Sequence, residues 1–324
     1  MDKIVLLNKA EKTTAMNFFE FQNKFPTELS VIEHFIKVRY QGNITCHHCG
    51  VINDRIYHSR VTPKLFHCEN CKNMFSIFKD TIFEDSSTDL RKWMYAIHLF
   101  LNGKKGISGY QLMREIGVTY KTAWRMLNLI RKAMGNAENQ EFIDTVIEID
   151  ETYVGGKPRK KNKPDDKDDD NKPKRGRGTK KTPVVGVIDR ENKQVHARVA
   201  KPNKEGKKLT SKQLLEILNQ VVKTPLTIMT DEFRSYNALG KSEHVHLRVN
   251  HKEAFAIGDI HTNNIESFWA TLKRGVLGIY HHVSVKYLQD YVNEFCFRYN
   301  HRTHPNLSNP KMFDLVLKQA VLVH

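Results

Sequence analysis

Apolar residues recur at three- and four-residue intervals in several stretches of the chain, which predicts amphipathic helices there. In Leu29 to Tyr40 the apolar face is Val31, Ile32, Phe35, Ile36 and Val38. Behind Ser86–Asp89, a helix to about Leu101 carries Trp93, Ile97, Phe100 and Leu101 on one side. A second helix follows from Ser108 to Ile116. A third runs from Thr119 through Met134, with Ala123, Met126, Leu127 and Ile130 as its core face. Further on, Ser211 to Val222, Asn263 to Leu277 and Val285 to Arg302 repeat the helical pattern. Between these lie short runs rich in β-branched residues, which predict strands: Val146 onward, Pro183 to Arg190, Gln194 to Ala200, Leu226 to Thr230 and His244 to Val249. Antiparallel strands followed by alternating helix and strand fit a mixed sheet with helices on its faces. The chain is therefore expected to be multidomain α+β.

Composition narrows the partner. The chain has 324 residues, 40% of them hydrophobic, and a formal net charge of +16. A globular chain that basic points to a polyanion, most often nucleic acid. No apolar run approaches the ~18 residues of a membrane span, and the first residues lack a signal-peptide pattern. The expected location is the cytoplasm, in association with the nucleoid. Residues 157–182 are dense in Lys, Arg, Asp and Pro, and predict a charged insertion without a core of its own. Residues 1–44 read as a helical lead-in, either support or a DNA-contacting arm.

Four of the five cysteines fall in two tight pairs, Cys46-His-His-Cys49 and Cys68-Glu-Asn-Cys71, separated by a hairpin-like stretch. Two such knuckles can present four thiolates tetrahedrally to one Zn²⁺, so residues 45–84 are expected to form a zinc ribbon. The three helices over 85–136 follow directly. A short helix, the Gly117 turn and a Thr119-capped helix fit a helix-turn-helix, and Lys121, Arg125, Arg131 and Lys132 are the expected DNA-contacting residues. A plain three-helix packing unit would carry the same pattern.

Candidate chemistry lies after residue 143. The strand V-I-E-I-D ends near Asp150, the strand Leu226–Thr230 ends on Asp231, and Glu266 follows the potential caps Thr262, Asn263 and Asn264. In the first turn of that helix Glu266 would be held ionised by the positive helix end. Lys273 lies two helical turns further on the same side, where a cation can hold a phosphate. Three carboxylates on a basic chain suit two hard divalent ions, Mg²⁺ or Mn²⁺, one serving the attacking oxygen and one the leaving oxygen. Glu148, Glu151, Asp189 and Glu232 are competing acids.

The motifs IDETYVGGKPR, TDEFRSY, VNHKE, HTNNIESFWATLKRG and YHHVSVKYLQDYVNEFCFRYNHR, with the two CxxC pairs, the Phe75–Phe83 stretch and L-R-K-W at 90–93, together resemble zinc-ribbon insertion-sequence transposases related to the Merlin superfamily. The resemblance spans nearly all of residues 25–310. It implies a ribonuclease-H-like α/β catalytic domain of the DDE type over 143–324. It also implies Asp150, Asp231 and Glu266 as metal ligands and Lys273 as the trailing basic residue. Some members of the group carry Asn as the third ligand, so Asn264 stands beside Glu266 as an alternative. The implied activity is hydrolysis at the terminal inverted repeats of an insertion sequence followed by strand transfer to target DNA, by at least a homodimer on double-stranded DNA. The competing reading is a catalytically silent, transposase-derived DNA-binding regulator; a related nuclease without strand transfer is a third.

Overall fold

Local signals in the chain set where its elements begin. The computed structural model describes residues 16–136 (apart from 54, 60 and 61), 142, 145–155, 181–200, 209–249 (apart from 233 and 242), 260–302 and 309–320. Most of the expected charged insertion, up to residue 180, lies outside the described residues. The chain divides into two units, Met1–Ala133 with His304–His324, and Met134–Thr303.

In the first unit, Asn17 and Thr27 each close a capping box, starting helices α1 (Phe18–Lys24) and α2 (Glu28–Tyr40). Strands β1 (Ile56–His58), β2 (Leu65–Cys68) and β3 (Met74–Ser76) make a three-stranded antiparallel sheet, with Ile56 opposite Cys68 and Phe66 opposite Phe75. Asp89 caps helix α3 (Leu90–Asn102) by accepting from the Arg91 N–H at 2.6 Å. Ser108 caps α4 (Gly109–Ile116). Gly117 then adopts φ +60°, a left-handed conformation that costs glycine least, and ends α4. Thr119 accepts from the Thr122 N–H at 3.2 Å at the start of α5 (Tyr120–Asn136). Aromatic residues fill the core: Phe35 packs on Phe78 and Phe83, and Phe83 meets Trp93 edge-on.

The second unit is built on a five-stranded sheet. Its strands are β4 (Val146–Val154), β5 (Thr182–Asp189), β6 (Val195–Val199), β7 (Thr227–Thr230) and β8 (Val245–Arg248), in the order β6-β5-β4-β7-β8. The β4–β5 and β5–β6 pairs are antiparallel; β4–β7 and β7–β8 are parallel. Helix α6 (Ser211–Val221) covers one face, where Ile147, Ile149, Val185 and Val187 are buried with Leu214 and Leu218. Helices α7 (Asn263–Gly275) and α8 (Leu288–Arg302) cover the other, where Val184 and Ile188 are buried with Ile265, Trp269 and Phe295. Side chains alternate across a strand, so β4 sends Ile147, Ile149 and Glu151 toward α6 and Glu148 and Asp150 toward α7.

The last helix, α9 (Asn309–Lys318), differs from expectation. The catalytic region was expected to run to residue 324, but α9 packs on α2 and α3 of the first unit. Its apolar face needs a partner, and the Phe25–His34 surface supplies one. Phe313 packs on Phe25, His34 Nε2 lies 2.7 Å from Asp314 Oδ1, and the Ile82 N–H donates to the Ala320 carbonyl at 3.0 Å.

Candidate metal centres

The four cysteines of the two CxxC pairs meet at one end of the small sheet. Each pair forms a tight turn: the Gly50 N–H donates to the Cys46 carbonyl, and the Cys68 N–H to the Asn73 carbonyl, both at 2.9 Å. The β1–β2–β3 register brings the two turns together. Cys46 Sγ lies 3.7 Å from Cys71 Sγ, Cys49 Sγ 3.6 Å from Cys68 Sγ, and one sulfur from each of the four falls within 4.8 Å of the others. That is the packing of four ligands around a single ion. The Asn70 side-chain amide donates to Cys49 Sγ at 3.5 Å, and this hydrogen bond is the main cause that lowers the Cys49 thiol to about 6. The neighbouring Cys68 thiol is instead pushed up to about 11, so the metal-free sulfurs share their protons unevenly; as thiolates the four fit a soft or borderline metal.

The acids of the second unit meet by sheet register. Glu148 of β4 stands opposite Met229 of β7 in parallel pairing, so two residues further along, Asp150 and Asp231 come level where β7 ends. Carboxylate oxygens of Asp150, Glu151 and Asp231 lie within 4.8 Å of one another. Glu151 joins from the α6 side, where the buried Tyr236 hydroxyl donates to its Oε2 at 2.9 Å. Burial raises Asp150 to about 8, and the neighbouring Glu151, Asp231 and Glu266 charges add to the rise. Burial and the same three-carboxylate cluster also push the Tyr236 phenol well above its ordinary value. So many like charges in a half-buried site are stabilised by a proton or by a cation. The donors are all hard oxygens, which fits Mg²⁺ or Mn²⁺.

Glu148 has a different job. It is fully buried, and its Oε2 accepts from the Asn264 and Ile265 backbone N–H groups, each at 3.0 Å. Those are the second and third residues of α7, so a strand carboxylate supplies the cap that the helix's own Thr262 does not make. Asn264 Nδ2 and Arg190 Nε each donate to Glu148 Oε1 at 2.7 Å, and Arg190 Nη2 also donates to the His261 carbonyl at 2.7 Å. The expectation that Thr262, Asn263 or Asn264 caps α7 is thus replaced by Glu148. The Asn264 Nδ2 is engaged with Glu148, while Thr262 Oγ1 donates to Glu266 Oε1 at 3.1 Å.

The sequence profile of the ISXO2-like transposase domain matches residues 143–300, the span holding all of these acids. A transposase-like protein of Haemophilus influenzae is 35% identical over 111 residues, covering 34% of this chain and 85% of that protein. The chain belongs to the ISXO2-like transposase family. A protein of the transposable element ISH50 in Halobacterium salinarum is 29% identical over 281 residues, 85% of this chain and 91% of that protein. Among solved structures, the Mos1 strand transfer complex is a distant likeness, with TM-score 0.29 and 13% identity over 71% of this chain and 79% of that one. The mariner Mos1 paired end complex with Mg has TM-score 0.28 and 14% identity, over 70% and 79%.

In this member of the family the expected site residues are distributed unevenly. Asp150 and Asp231 are brought together. Glu266, exposed in the first turn of α7, acts on the Asp150 charge but stands outside the tight three-carboxylate group, where Glu151 takes the third place. Lys273 is exposed on α7, two turns beyond Glu266. Asp189, a competing acid, is buried and occupied: it accepts from Thr145 Oγ1 at 2.7 Å and from the Glu191 N–H at 2.8 Å. On α5, Lys121, Arg125 and Lys132 share one exposed stripe. Arg131 does not belong to it. It is 1% exposed, with its guanidinium 5.3 Å from the centre of the Phe100 ring and Nη1 donating to Asn128 Oδ1 at 3.3 Å. Charge at a helical position suggested a polar face, but the neighbouring α3 surface covers that position and a cation–π contact accommodates it.

Sequence reasoning also missed Trp269, whose indole Nε1 donates to Asp150 Oδ2 at 3.0 Å, and Tyr236. Neither is singled out by the hydrophobic pattern of the chain. Their polar tips become informative only once the register is known.

Proposed function

We propose that the chain is a DNA transposase that binds the terminal inverted repeats of an insertion sequence, hydrolyses a phosphodiester at each end and transfers the exposed 3′-OH to target DNA. The observation that carries this reading is the register-driven meeting of Asp150 with Asp231 beneath the helix that bears Glu266, in a chain of the ISXO2-like transposase family. The sheet order, three antiparallel strands extended by two parallel ones, supports a ribonuclease-H-like catalytic domain. Asp150, Asp231 and Glu266 are the ligands in this reading. Bound there, Mg²⁺ or Mn²⁺ ions supply positive charge to the attacking and leaving oxygens of an in-line displacement. Lys273 holds a phosphate of the DNA beside them, and Glu148 keeps α7 in place while the strands are exchanged.

The cysteine cluster is the structural Zn²⁺ site of a DNA-binding zinc ribbon. Helices α4 and α5, joined through Gly117, act as a helix-turn-helix, with Lys121, Arg125 and Lys132 contacting phosphates and base edges. Two element ends must be joined, so the working form is a homodimer on double-stranded DNA, acting in the cytoplasm at the nucleoid. Among the described residues, no helix is long and apolar enough to cross a membrane.

The test uses the purified chain, DNA carrying its own element's ends, and Mg²⁺ or Mn²⁺. The wild type nicks at the ends. Asp150→Ala binds the same DNA and does not nick. A mutant that still cuts removes Asp150 from the site.

A further inference from the structure

Trp269 lies between the two arms of the acid site. It sits three residues after Glu266 on α7, so the two side chains leave the helix on the same side, yet it is only 3% exposed. Its ring is pressed against the sheet at the one place without a side chain. Gly186 is the register partner of Asp150 on β5. A Cβ added there would come within 2.6 Å of Trp269 Cη2 and 2.7 Å of Cζ2, closer than side chains pack. That notch lets the indole N–H reach Asp150 Oδ2 at 3.0 Å. An indole N–H can only donate, so it holds an accepting oxygen and fixes the plane of the carboxylate. Core packing alone would not require a glycine opposite Asp150, nor aim the indole nitrogen at the acid.

We propose that Trp269, admitted by the Gly186 notch, is the positioning residue that orients Asp150 for divalent metal, so that α7 both carries Glu266 and aims Asp150. The inference rests on the metal-dependent reading of the site. An outer partner of this kind fixes a ligand's orientation, and its loss typically weakens metal affinity ~10–100-fold. Trp269→Phe keeps the buried ring and removes the donor. Gly186→Ala keeps the donor and displaces the ring.

The experiment measures Mn²⁺ affinity calorimetrically on the full chain bound to element-end DNA, alongside end-DNA affinity and the Mn²⁺ midpoint for nicking. Both variants are expected to bind Mn²⁺ ~10–100-fold more weakly, with a matching rise in the nicking midpoint and unchanged end-DNA affinity. Wild-type Mn²⁺ affinity in Trp269→Phe overturns the proposal while leaving the metal site intact. A wild-type chain that binds no Mn²⁺ overturns the metal-dependent reading and the proposal with it. A second measurement needs no folded Trp269 variant. The chain has three tryptophans, so their indole N–H resonances are few. One of them is expected to shift on adding Mg²⁺ and again in Asp150→Asn. If none responds to either change, Trp269 does not position Asp150.

Discussion

The cysteine cluster and the carboxylate cluster each bring side chains able to ligate a metal within 4.8 Å of one another, by opposite routes. The cysteines arrive in two local turns, each closed by its own backbone hydrogen bonds, and a short antiparallel sheet joins them. The clustered acids come from one strand and the end of another, with Glu266 beside them on a helix far along the chain. Their meeting depends on β4–β7 register and on a helix docked by Glu148. A local cluster is written in spacing. A long-range cluster is written in topology, and groups that ligate nothing help hold it.

This contrast predicts where each region breaks. The largest effect is expected at the cysteines. Cys68→Ser should abolish stoichiometric zinc binding, and with it the order of the small sheet, because in such segments metal binding supplies the folding free energy. Zinc content and protease resistance of residues 45–76 check it. If the mutant keeps both, the four cysteines are not a structural metal site.

The carboxylate region should instead fail through its support. Glu148→Ala removes a fully buried acid that caps α7 and pairs with Arg190. Breaking a buried pair on one side typically costs ~3–5 kcal/mol. Urea unfolding should show a loss of that order, with nicking lost and zinc content unchanged. Glu148→Ala that remained as stable as wild type would mean the cap does not hold α7.

A smaller effect follows from Asp150. Its folded value, raised to about 8, stands above the ordinary ~3.9 of an unfolded Asp. The metal-free folded state therefore binds more protons than the unfolded one between those values, and its stability falls as pH rises through that window. A divalent cation bound by the cluster would take the proton's place. The rise in melting temperature on adding Mg²⁺ should thus be small near pH 5 and larger at pH 8. Asp150→Asn should flatten the trend, and an equal rise at both pH values would contradict it.

The legibility of the chain follows the same division. The cysteine spacing, the helix starts at Ser108 and Thr119, and the strand that stops just before Asp231 were readable because each signal is local; the strand expected to end at Asp150 runs on to Val154, because its apolar pattern does not show that β5 pairs along its whole length. Three further features were not readable. Arg131 looked like a surface cation, since sequence spacing does not show that α3 covers its side. Glu148 looked like a rival ligand to Asp150 because the two share a strand face, and only the docked α7 shows what Glu148 accepts from. Trp269 and Gly186 gave no local signal, since their contact joins residues 83 positions apart. Glu151 is the instructive middle case. It was named as an alternative to Asp150, and it reaches the cluster from the opposite sheet face because the neighbouring strand has ended there.

The most direct test of the central claim is an anomalous-diffraction map of crystals of the chain soaked in Mn²⁺. Manganese density is expected between Asp150 and Asp231 with Glu266 as a ligand, and Glu148 still accepting from the N-terminus of α7. Manganese held by Asp150, Asp231 and Glu151 with Glu266 turned away, or manganese at Glu148, would contradict it.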